Sequence, residues 1–171
     1  MASFSNGEAA NGVVPESLVT MRYSGKPRVP EAALKNGTDN IYLQQFQDEV
    51  SGWEQVSIHP HRFGGKEFRL GNAEVGHLHS DGVLDIPFTR KIRDELLHEE
   101  LAERHRWLPD SGWTTFRIRS AADVKHAVWL MRLSYLRYML RKNPHSAVCT
   151  LERRDLHLSP VLDSLLCGIR T

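Results

Sequence analysis

The stretch Gly76-His77-Leu78-His79-Ser80-Asp81-Gly82-Val83-Leu84-Asp85-Ile86-Pro87-Phe88 decides how this chain is read. Strand-like runs flank Asp81-Gly82, and those two residues tolerate the positive φ that a tight hairpin turn demands. The segment therefore predicts strand, turn, strand. Alternate side chains of an extended chain share a face, so His77 and His79 point the same way. Asp81 is assigned to the turn, where an Asp side chain bonds its own backbone. Asp85 either ends a strand or fixes the tautomer of a neighbouring imidazole.

Upstream of this hairpin, Val56 and Ile58 alternate, and Phe68 and Leu70 alternate after the turn at Gly64-Gly65. Together with Val75–His79 and Val83–Ile86 they predict an antiparallel meander of short strands. Before the meander, Ile41, Leu43, Phe46, Val50 and Trp53 recur at near-helical spacing and predict an amphipathic helix from Asp39 to Trp53. After it, Ile92, Leu96, Leu97 and Leu101 form one stripe of a helix from Thr89 to Glu103, with Thr89 as its N-cap. Leu108-Pro109-Asp110-Ser111-Gly112 reads as a turn. Thr114–Arg119 then reads as a strand with Phe116 and Ile118 inward. Ser120-Ala121-Ala122-Asp123 resembles a capping box that opens a long core helix, Ala121 to Lys142, which Asn143-Pro144 ends. The order is α+β: an antiparallel meander of four to five short strands packed by about three helices on one face, in a single domain.

Residues 1–38, rich in Gly, Asn, Ser and Pro, are expected to form a flexible leader. Residues 39–143 form the domain, and 144–171 a tail with one short helix at Val161–Ile169. At 171 residues the chain is long enough for one domain with a core. No run approaches the roughly 20 apolar residues that cross a bilayer. The first residues lack the basic and apolar regions of a secretory signal, so a cytoplasmic location without a membrane partner is expected. Cys149 and Cys167 lack CxxC spacing and are expected to be free thiols. Net charge is +1, with residues 1–58 carrying four Lys/Arg against seven Asp/Glu, and residues 59–145 carrying fifteen against eleven. That basic bias is milder than the clustered patch of a dedicated nucleic-acid binder.

Three chemistries compete for the histidines. Grouped with some of His59, His61, Asp81 and Asp85, the pair His77 and His79 suits Fe, Mn, Ni or Zn, because adjacent strands let imidazole and carboxylate converge. The spacing fixes no third ligand, and two histidines bonded to neighbours need no ion, so the metal-free reading is preferred. The second chemistry is acid–base, since imidazole titrates near neutral pH and Asp81 or Asp85 can orient it. The third reading is two histidines on a solvated face. Ser111 is no nucleophile by motif, because Asp-Ser-Gly-Trp leads into a strand rather than the strand-to-helix elbow. Phe63-Gly64-Gly65-Lys66 is neither GxxxxGK[ST] nor GxGxxG and reads as a β-turn.

From Ile58 to Tyr138 the chain resembles the small bacterial "luciferase domain" proteins. The likeness rests on His61-Arg62-Phe63-Gly64-Gly65-Lys66-Glu67-Phe68-Arg69-Leu70-Gly71, Gly76-His77-Leu78-His79 with Asp81-Gly82, Asp85-Ile86-Pro87-Phe88, Arg93-Asp94, Leu108-Pro109-Asp110-Ser111-Gly112-Trp113, and Trp129-Leu130 with Leu133-Ser134-Tyr135. The family name implies an oxygen-dependent, light-emitting or related oxidative activity. It transfers no catalytic residue, and the chain carries no flavin, nicotinamide or luciferin motif, so no cofactor is named. Where that family often has two histidines before the Leu-Pro turn, this chain has His105-Arg106. A fainter similarity, to the MmcQ/YjbR-like proteins, implies DNA binding.

The functional expectation is a small-ligand-binding protein with oxidative or acid–base chemistry at a His/Asp sheet face. His77, His79 and Asp85 are the candidate catalytic residues, and His59, His61, Arg69, Ser111 and Trp113 the candidate ligand-binding ones. The competing expectation is a non-enzymatic binding module for nucleic acid, using basic residues from Thr89 to Arg106. Neither substrate nor oligomeric state is legible in the sequence.

Overall fold

The computed structural model describes residues 38–168, so the expected leader, up to residue 37, lies outside the described residues, as does Ile169. Among the described residues, five α-helices and six strands follow in the order α1 (Thr38–Ser51), β1 (Val56–Pro60), β2 (Lys66–Leu70), β3 (Ala73–Leu78), β4 (Val83–Pro87), α2 (Arg90–His98), β5 (Glu103–Arg104), β6 (Trp113–Arg117), α3 (Ala121–Lys142), α4 (Ala147–Asp155) and α5 (Pro160–Cys167). The strands form one sheet in the order β1-β2-β3-β4-β6-β5, and every neighbouring pair is antiparallel. The first four strands are the expected meander; β6 then returns to pair with β4, and β5 takes the far edge. The α+β class holds, with six strands in place of four to five and five helices in place of about three.

The hairpin forms as its sequence demands. Gly82 sits at φ 84°, its N–H bonds His79 O at 3.1 Å, and Val83 N–H bonds the Asp81 carboxylate at 3.2 Å. Its carbonyl accepts from Ile118 N at 2.9 Å, and a Cβ there would lie 2.9 Å from Ile118 O. Both the backbone angle and the close approach of the next strand's exit therefore require glycine.

Helices α1 and α3 cover the apolar face of the sheet. Leu43, Phe46 and Val50 of α1 are buried, whereas Ile41, expected on the same stripe, is 56% exposed. The helix stops at Ser51, yet Trp53 still packs, edge-on to Tyr135 at 5.6 Å with the Arg132 guanidinium 3.7 Å above its ring. α3 matches its predicted bounds. Ser120 Oγ accepts from Asp123 N at 3.2 Å, and Leu130, Met131, Leu133 and Leu136 are fully buried, making it the central core helix.

Helix α2 is shorter than its apolar stripe suggests. Thr89 caps it as expected, accepting from Ile92 N at 3.2 Å. At the other end Glu100 adopts φ 57°, with Glu100 N bonded to Leu97 O at 3.2 Å and Leu101 N to Leu96 O at 2.8 Å. This pair of bonds is a Schellman ending. The helix ends five residues before the predicted boundary, and Glu103-Arg104 is released to become β5. α4 was not expected at all. Ser146 caps it, Cys149 buries against the core, and Trp129 Nε1 donates to Leu156 O at 2.9 Å just past its end. The thiols Cys149 and Cys167 are free, as expected. No helix among the described residues is long and apolar enough to cross a membrane.

Candidate functional site

The register aligns one polar residue from every strand in a single row: His59, Glu67, His77, Asp85, Thr115 and Glu103. Neighbouring positions in the sheet carry Phe68 opposite Gly76, and Leu78 opposite Leu84 opposite Phe116, which face the helices. One face is therefore apolar and packed, and the other carries the ionisable groups. A bulge in β3 adjusts this pattern. Phe68 opposes Gly76 but Arg69 opposes Glu74, which leaves Val75 as the extra residue. Residues three apart on a regular strand point to opposite faces; the bulge brings Glu74 back to the side of His77.

The centre of the row is compact. Asp85 Oδ2 lies 3.1 Å from His79 Nε2, 3.4 Å from His77 Nε2 and 3.6 Å from His105 Nε2. The other oxygen, Oδ1, accepts from the Thr115 hydroxyl. His77 Nδ1 meets Glu74 Oε1 at 2.5 Å. The rings of His61 and His77 stack at 4.0 Å with 13° between planes, and His79 stands edge-on to both, 4.9 Å from His77 and 5.8 Å from His61. Trp113 forms a wall 5.3 Å from His77 and 6.0 Å from His105.

Each ring has its own anchor. Glu67 sits 3.5 Å from His61 Nδ1 and is itself gripped by Arg69 Nε at 2.5 Å. His105 Nδ1 accepts from the backbone N–H groups of Trp107 at 3.1 Å and Leu108 at 3.0 Å. An amide nitrogen can only donate, so the proton of a neutral His105 ring is on Nε2, facing Asp85. Burial disfavours charge on His77, but its hydrogen bonds to Asp85 and Glu74 outweigh that and push its pKa up to about 9. Burial would raise the Asp85 carboxyl; the hydrogen bonds from His77 and Thr115 hold it below its ordinary value instead. Glu67 is held low chiefly by its hydrogen bond from Arg69.

Of the residues singled out by sequence, His77, His79, Asp85, His61 and Trp113 come together, and Arg69 reaches the cluster through Glu67. His59 lies on the same row but its Nε2 pairs with Ser57 Oγ at 2.9 Å, away from the cluster. Ser111 is spent on the turn: its hydroxyl donates to Leu108 O at 2.6 Å and accepts from Trp113 N at 3.1 Å. Glu74, Glu67, His105 and Thr115 were not foreseen. The HxH spacing located the centre; the bulge, the β5 edge and the cross-strand register supplied these partners. Of the basic residues proposed for nucleic acid, Arg93 is buried and donates to Pro109 O at 2.9 Å and to Ser111 O, and Arg104 Nη1 donates to Pro109 O at 2.9 Å.

No curated protein and no solved structure matches this chain. No finding supports the fainter likeness to MmcQ/YjbR-like proteins. A family model described as Luciferase domain matches residues 72–134. The match runs from the β2–β3 turn into the middle of α3 and takes in His77, His79, Asp85, His105, Trp113 and Thr115, while His61, Glu67 and Arg69 lie before it. Over residues 72–134 this chain thus matches the Luciferase domain family, the one its motifs resemble.

Proposed function

We propose that the polar face of the sheet binds a small polar ligand against Trp113 and that the group of His77, His79 and Asp85 performs acid–base chemistry on it. One observation carries the reading: three imidazole nitrogens lie within 3.6 Å of a single carboxylate oxygen on a sheet face. Packing alone gives no reason to gather them, since each buried polar group costs stability unless it is fully bonded. His79 is the most open of the three, with its side chain 29% exposed, and is the ring a ligand meets first. Asp85 orients it, and His77 is held from behind by Glu74. A ligand lying on this face would exchange a proton with His79 Nε2, with Asp85 balancing the charge.

The test is a thermal-shift and calorimetric screen of the full chain against small carboxylic acids, nucleotides, flavins and acyl compounds. A specific binder at a hundred times its Kd raises stability by about 2.7 kcal/mol. The expected outcome is a binder whose shift disappears in His79→Ala, a partly exposed position where the fold is retained. Binders that act equally on wild type and His79→Ala would remove this face from the function.

A further inference from the structure

We infer that His77 Nε2, His79 Nε2 and Asp85 Oδ2 together form a binding site for one divalent transition-metal ion of the Fe, Mn, Co, Ni or Zn class. The inference rests on the reading of this face as the ligand site, and gives that site its cofactor. The three atoms lie within 4.8 Å of one another, with nitrogen-to-oxygen separations of 3.1 and 3.4 Å. An ion with bonds of about 2.1 Å holds neighbouring ligand atoms roughly 3.0–3.4 Å apart, and both nitrogen-to-oxygen separations fall in that range. Two imidazoles and a carboxylate, with no thiolate, select this class over Cu(I) or Ca²⁺.

Hydrogen-bond accounting favours an ion over direct contact. The Thr115 hydroxyl donates to Asp85 Oδ1, while three imidazole nitrogens converge on Oδ2: His79 Nε2 at 3.1 Å, His77 Nε2 at 3.4 Å and, just beyond hydrogen-bond reach, His105 Nε2 at 3.6 Å, its tautomer fixed by the amides of Trp107 and Leu108. Protons on all three rings aimed at one oxygen would crowd it. In the neutral His77 ring, with Nδ1–H donated to Glu74, the lone pair falls on Nε2 and points into the cluster, so an ion binding there takes the place of the proton that Nε2 otherwise directs at Asp85. This carboxylate–histidine arrangement is the one that orients metal-ligating imidazoles. His105 and Thr115 then act as positioning residues on the carboxylate ligand, and Glu74 on His77. Three protein ligands leave coordination positions for water and for a ligand on the side of Trp113 and His61. An ion held here would occupy His79 Nε2, leaving that ring its Nδ1–H alone, and would supply a bound water of lowered pKa for the acid–base role.

The full chain, freed of metal with a chelator, is titrated with Zn²⁺ and with Co²⁺ by calorimetry, with the Co²⁺ absorption spectrum recorded in parallel. One ion per chain is expected, with a spectrum of low-symmetry nitrogen and oxygen coordination. His79→Ala should weaken binding at least tenfold, and Asp85→Asn likewise. His59→Ala, on the same face but outside the cluster, should bind as wild type; circular dichroism checks that every variant is folded. Failure of folded wild type to bind either ion overturns the inference, as does equal binding by His79→Ala. If the ions fail while a small organic ligand still binds in a His79-dependent way, the ion is refuted and the ligand site stands. If the ions bind as described and no organic ligand does, the ion is supported and the ligand reading falls.

Discussion

The early end of α2 controls what reaches the candidate site from the sheet's far edge, and it turns on Glu100. This residue occupies a left-handed conformation, φ 57°, at the position after the C-cap, where glycine is the usual occupant. A side chain there costs roughly 1–2 kcal/mol through the clash of Cβ with the following carbonyl. Glu100 is exposed and none of its side-chain bonds would be lost on truncation among those described. Glu100→Gly removes the clash but frees the unfolded chain, which returns roughly 0.5–1 kcal/mol. The net expectation is a gain of about 0.5–1 kcal/mol. Glu100→Val should lose about 1 kcal/mol or more, because a β-branched side chain is worse still in this region. Urea unfolding followed by circular dichroism reads both, with the slope m unchanged and the midpoint moving in opposite directions. A destabilised Gly variant, or a Val variant as stable as wild type, would refute the account of this helix end.

Further outcomes are equally open to measurement. Gly82→Ala should cost about 1–3 kcal/mol in the same urea assay, since the φ of 84° and the 2.9 Å approach to Ile118 O both resist a Cβ; an unchanged midpoint would contradict the turn geometry. Arg93→Ala should cost roughly 1–3 kcal/mol, because Ser111 O loses its charged donor while Pro109 O keeps only the one from Arg104. The same variant should leave retention on immobilised duplex DNA as negligible as in wild type at low salt; salt-sensitive retention lost with Arg93 would revive the nucleic-acid reading. Glu74→Gln should keep the fold and weaken Zn²⁺ binding about 10–100-fold, as loss of a carboxylate behind a metal-bound histidine does; an unchanged affinity would show that Glu74 does not position His77.

What the sequence makes legible is what depends on neighbours close in the chain. Asp81-Gly82, the shared face of His77 and His79, the cap at Ser120 and the stop at Asn143-Pro144 are all local, and each forms as expected. The end of α2 was missed because a Schellman turn with Glu in the left-handed position carries no glycine to announce it. The missed α4 is nine residues long and owes its place to contacts with α3 such as the Arg132–Glu152 pair at 3.7 Å, which periodicity cannot see. Glu74 was invisible for a sharper reason: on a regular strand it would face away from His77, and one extra residue, Val75, reverses that parity.

That bulge also bears on why the cluster exists. Val75 and Phe68 are both fully buried, so the extra residue keeps the apolar face filled while the polar face gains Glu74. A strand selected for stability alone has no use for this device, since buried ion pairs can be replaced by apolar residues of similar volume at little cost or with a gain. Here His77 at 9% exposure and Asp85 at 5% are instead fitted with a dedicated partner each, Glu74 and Thr115, and with a third imidazole brought in from the opposite edge. Departures from the local rules of strand and helix therefore converge on one spot: the bulge supplies Glu74, and the shortened α2 supplies β5 and with it His105. Where separate irregularities serve the same few atoms, function is the more economical account of them than packing.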